Sequence, residues 1–90
     1  MKVKFFATYR KITGCESFEA PALCSVYDLL KHCCDKWPEF RNLLLDKSGK
    51  NLGPDLIIMV NGRHIQHLNG INTKLNNDDV VAITPQMAGG

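Results

Sequence analysis

The chain has 90 residues, 44% of them hydrophobic and 22% charged, which fits one globular domain with a single small core. A second core, a separate cofactor domain and a large enclosed active site are excluded at this length. Eleven Lys and Arg against nine Asp and Glu leave a net charge of +2. The cations are scattered, so no phosphate-tracking stripe and no nucleic-acid partner are expected.

Residues 2–10 alternate with period two. Val3, Phe5, Ala7 and Tyr9 point one way; Lys2, Lys4, Phe6, Thr8 and Arg10 point the other, which predicts a half-buried strand. Gly14 breaks it and residues 15–19 resume the alternation, so a hairpin with its link near Lys11 to Gly14 is predicted. Ser25 suits a helix N-cap, with Asp28 three residues on at the positive end of the dipole. Val26, Leu29, Leu30, Cys33 and Trp37 form one stripe at helical spacing, and Pro38 ends or kinks the helix. Phe40, Leu43, Leu44 and Leu45 suggest a second short helical piece, and residues 46–51 a polar loop.

Leu56 to Val60 is a continuous apolar run rich in β-branched residues, with the length of a strand buried on most of both faces. Asn61-Gly62 follows, a strong signal for a type I′ hairpin turn, and Arg63 to Gln66 is predicted as the return strand. Residues 68–75 look irregular and Asn76 to Asp79 a polar turn. Val80 to Thr84 is the last strand, stopped by Pro85. The order β-β-α-β-β-β predicts an α+β domain over residues 1–84, a mixed sheet packed against one main helix. Residues 85–90 form a tail, Pro-Gln-Met-Ala-Gly-Gly, expected to be flexible. Extended, it spans ~20 Å and its glycines can pass through a narrow slot. The Gly90 carboxylate is unhindered and open to activation as an acyl-adenylate by a partner enzyme.

Parity along the strands puts Phe6, Met59 and Thr84 on the open face of the sheet, where an exposed Phe and Met suit a docking patch. The four cysteines, Cys15, Cys24, Cys33 and Cys34, contain no C-x-x-C and are expected as free thiols. Cys33 falls on the buried stripe. Cys34 lies about 100° away and is expected to be partly exposed, with a conceivable transient disulfide or acyl-disulfide role. His32, His64 and His67 read as solvated, and no metal site is expected. No catalytic constellation, P-loop or dinucleotide fingerprint occurs, so the chain binds no cofactor of its own and its activation must come from a partner. No apolar run is long enough to span a bilayer. The start Met1-Lys2-Val3-Lys4 is unlike a secretory signal, and a cytoplasmic location is expected.

The element order with a terminal Gly-Gly resembles the ubiquitin-like β-grasp proteins, and within them the MoaD/ThiS sulfur carriers. Residues 3–10 with Gly14 look like the MoaD first strand and turn. Met59-Val60-Asn61-Gly62-Arg63, then His67-Leu68 and Gly70, is similar to the middle hairpin of archaeal-type MoaD proteins. Leu75 to Val80, Ala82-Ile83 and Ala88-Gly89-Gly90 look like the closing segment. The resemblance implies that Gly90 bears an adenylate and then a thiocarboxylate, with Gly89 giving access. A ubiquitin-activating-type adenylyltransferase would supply the activation, using ATP and a sulfur donor. It further implies the small-subunit role in molybdopterin synthase, beside a MoaE-like large subunit. Phe6, Met59, Thr84, Pro85, Gln86, Met87 and Ala88 would then meet the partners. MoaD tails commonly read aromatic-Pro-Pro where this chain has Thr84-Pro85-Gln86, so the client pathway stays open. The alternatives are a thiamin-type carrier, a modifier conjugated to lysines through Gly90, and a β-grasp interaction module with an inert tail.

Overall fold

A computed structural model describes residues 1–86. Strand β1 (Lys2–Phe5) pairs antiparallel with β2 (Ser17–Glu19) on one side and parallel with β5 (Val80–Pro85) on the other. Strand β5 pairs antiparallel with β3 (Leu56–Val60), and β3 with the two-residue β4 (Arg63–His64), giving the order β2-β1-β5-β3-β4. The first and last strands therefore lie side by side at the centre of the sheet. The helix of residues Val26–Lys36 provides the covering layer.

Register explains the core. Val3 sits opposite Val81 and Phe5 opposite Ile83, while Val60 and Ile58 flank those same β5 residues from β3. All six are buried, and they face Val26, Leu29, Leu30 and Cys33, each fully buried on the helix. Burying each large aliphatic side chain contributes roughly 1.5–3 kcal/mol. An aromatic cluster closes one end, with the Phe5 ring 5.3 Å from Trp37 and 5.7 Å from Phe40. Ser25 caps the helix as its spacing predicts, its hydroxyl accepting from the Asp28 N–H, and Trp37 ends it immediately before Pro38. This fold is the ubiquitin-like β-grasp, of α+β class.

Four local expectations need correction. The first strand stops at Phe5: Ala7 turns the chain with φ 54°, and Thr8–Thr13 forms a short helix, α1. Tyr9 is buried as alternation predicts, but from a helical turn. Phe5 and Tyr9 are four apart, a spacing that both periods satisfy. The main helix is thus α2. The return strand ends at His64, because Ile65 turns inward at the start of a 3-10 turn over Ile65–His67 and is buried there. Strand β3 is covered on one face only: Ile58 and Val60 are buried, while Leu56, Ile57 and Met59 are half-buried. The second helical piece is a single 3-10 turn, Pro38–Phe40. The Asn61-Gly62 turn forms as predicted, with φ 53° and 83°, the left-handed pair that a type I′ turn requires.

Candidate functional site

The face of the sheet opposite α2 is open. Residues that share it follow from register, since directly paired residues point the same way. One row runs Ser17, Lys4, Ala82, Met59, His64 across all five strands. A second row pairs Ile57 with Thr84, and Phe6 continues it beyond the end of β1, its N–H donating to the Ile83 carbonyl at 3.2 Å. A third holds Glu19, Lys2 and Val80. Phe6, Met59 and Thr84 therefore occupy neighbouring rows of one face.

Phe6 is 39% exposed, whereas Phe5 beside it is fully buried. The Arg10 guanidinium of α1 lies 5.9 Å from the Phe6 ring centre and 3.6 Å from the Glu16 carboxylate. This contact holds the ring at the border between an apolar surface and a charged one. Ile57, Ala82 and His64 also stand on the face and escaped the sequence reading. The signal was available: Ile57 is two residues from Met59, so one parity serves both.

The root of the tail lies at the end of β5. Strand β5 runs through Pro85, which pairs with Leu56, and the Gln86 N–H donates to the Asp55 carbonyl. Pro85 tolerates the strand because Gln86 donates to β3, so the side of Pro85 that lacks a donor faces β1, which has already ended at Phe5. Gln86 lines a groove with Leu52, Leu56, Ile57, His64, Ile65, Gln66 and Gly70. Asp55 also lies near Tyr9, whose phenol is pushed up first by burial and then by that carboxylate. The remaining tail positions, Met87, Ala88, Gly89 and Gly90, lie outside the described residues.

Cys34 is not partly exposed. It is 7% accessible, and its thiol is pushed up mainly by burial and next by Asp35. Cys33 lies deeper still, and burial pushes its thiol up to about 12. Neither favours the thiolate needed for exchange. The exposed thiol is Cys24. His64 and His67 stack edge-to-face at 6.3 Å, and the His64 Nδ1 accepts from the Gln66 N–H. No group of three or more potential metal ligands occurs among the described residues. No helix among them is long and apolar enough to cross a membrane.

The ThiS family model matches residues 3–90. Small archaeal modifier protein 3 of Haloferax volcanii is 28% identical over 92 aligned positions, spanning 100% of this chain and 98% of the relative. The solution structure of small archaeal modifier protein 1 from Methanosarcina acetivorans superposes with a TM-score of 0.84 at 30% identity, covering 99% of this chain and 94% of that one. A putative molybdopterin converting factor subunit 1 from Pyrococcus furiosus gives 0.71 at 28% identity, covering 96% and 95%.

Proposed function

The chain belongs to the ThiS family of ubiquitin-like proteins, and on that premise we propose that it is a sulfur carrier working through its Gly90 carboxylate. An adenylyltransferase joins that carboxylate to AMP from ATP and releases pyrophosphate. A sulfur donor then displaces AMP and leaves a thiocarboxylate. The observation that carries the reading is the family match, which runs through the Gly89-Gly90 pair rather than ending with the folded domain. The chain contributes a presented carboxylate and a docking face; ATP and the sulfur donor are handled by the partner. Docking through Phe6, Met59 and Thr84, with the tail root at Pro85 and Gln86 and the following Met87 and Ala88 threading into the partner, would bring Gly90 to the nucleotide.

For the client, the first reading is molybdopterin synthesis, with this chain as the small synthase subunit beside a MoaE-like large one. The likeness to the Pyrococcus protein supports it. A second reading, conjugation to lysine amines through Gly90, is favoured by the two archaeal modifier proteins. ATP–pyrophosphate exchange by the adenylyltransferase of the same cells tests the shared chemistry. The full chain should support exchange and a Gly90 deletion should not; equal exchange with both removes the carrier reading. Co-purification with a large synthase subunit selects the first client, and isopeptide-linked adducts the second.

A further inference from the structure

Strand β1 carries two lysines that the folded domain does not use. Lys2 and Lys4 stand on alternate positions of the open face, in the rows of Val80 and of Ala82–Met59. Among the described residues neither has a carboxylate within salt-bridge distance. The acids of the neighbouring β2 side pair elsewhere: Glu19 with the Met1 ammonium at 3.5 Å, and Glu16 with Arg10 at 3.6 Å. Lys2, Lys4, Phe6, Arg10, Glu16 and Ser17 line one surface groove along this border. Beside Phe6 lie the apolar side chains Ile57 and Met59, so two lysines without carboxylate partners border an apolar strip, with Glu19 and Glu16 held by Met1 and Arg10.

We infer that Lys2 and Lys4 form a steering border that selects a protein partner whose contact surface has an apolar centre and a carboxylate rim on the β1 side. This rests on the docking reading above. The apolar side chains next to the lysines favour a protein over a nucleic acid. A phosphate backbone leaves Phe6, Ile57 and Met59 without apolar partners, and two lysines make too short a stripe to track it. Border charges act mainly on encounter: they raise the association rate by tenfold or more at low salt and leave dissociation to the apolar centre. The adenylyltransferase is the partner to which this assigns an acidic rim.

The test measures association and dissociation rates of the full chain on the purified adenylyltransferase of the same cells with ATP, from low to high NaCl. Wild type should associate roughly tenfold faster at low salt, and K2E/K4E should lose that advantage with its dissociation rate unchanged. The neutral pair K2Q/K4Q should fall between them, and thermal melts check that each variant is folded. K2E/K4E associating like wild type, or a salt-independent wild type, overturns the border and leaves the carrier reading standing. No binding and no adenylation by wild type overturns both. Lysine-dependent binding of a duplex RNA probe at physiological salt, tighter than the enzyme, assigns the border to nucleic acid instead and also overturns the proposal.

Discussion

Replacing Phe6 by Ala separates docking from folding. The ring is 39% exposed, and a Phe presents roughly 200 Å² in all, so about 80 Å² remains for a partner to cover. At about 25 cal/mol per Å², covering it contributes about 2 kcal/mol, or close to thirtyfold in Kd. The cost to the isolated fold is of similar size: the other ~120 Å² is already covered within the domain, roughly 2–3 kcal/mol by the same coefficient, and the Arg10 guanidinium over the ring adds about 0.5–1 kcal/mol. Its neighbour supplies the contrast: Phe5 is fully buried, and Phe5→Ala should cost about 3–5 kcal/mol of stability. Calorimetric titration against the adenylyltransferase, with urea melts of each variant, reads both quantities. Phe6→Ala should melt below wild type but above Phe5→Ala, and under conditions where it is folded it should bind about thirtyfold more weakly. A folded Phe6→Ala that binds within twofold of wild type refutes the assignment of this face.

Other outcomes follow from the same geometry. Gly53 passes so close to the Leu43 carbonyl that an added methyl would collide with it, so Gly53→Ala should lose about 2 kcal/mol in urea melts; no loss means this loop relaxes freely. Asn61→Ala removes the Asp79 and Val80 bonds and puts a less tolerant residue at φ 53°, so it should cost about 2 kcal/mol by the same measurement. For Cys33 the folded thiol lies above its ordinary value of 9.0, at about 12, so its contribution is fully present below pH 9 and lost as pH rises toward 12. Wild type should therefore lose stability over that interval more than Cys33→Ser, each taken relative to its own value at pH 8. Iodoacetamide mapped by mass should mark Cys24 well before Cys33 or Cys34, and early labelling of Cys34 would contradict its burial.

Much of the fold was legible because patterning and capping agreed. The α2 stripe, the Ser25 cap, the Asn61-Gly62 turn and the parity of Phe5 against Phe6 each have a single physical reading. The failures fall where two periods coincide or where a tertiary contact decides. Tyr9 satisfies both strand and helix spacing from Phe5, and the choice depends on the turn at Ala7, which no residue type announces. Ile65 looked like the continuation of a strand until the core claimed its side chain at the start of a 3-10 turn. Cys34 reads as offset from the helix stripe, yet Arg41, Asn42 and residues 45–49 lie against that side and line a pocket with it, which helical spacing alone cannot anticipate. The docking face was only half legible. Parity found Phe6, Met59 and Thr84 and sets Lys2, Lys4 and Ile57 on the same side, while the strand register was needed to bring Ala82 and His64 beside them.

The most direct test of the account is intact mass spectrometry of the full chain after incubation with the adenylyltransferase of its own cells, ATP and a sulfur source. The account predicts one oxygen replaced by sulfur, localised to Gly90 by fragmentation and absent without ATP. A plain carboxylate at Gly90 under conditions where a control carrier is converted would contradict it.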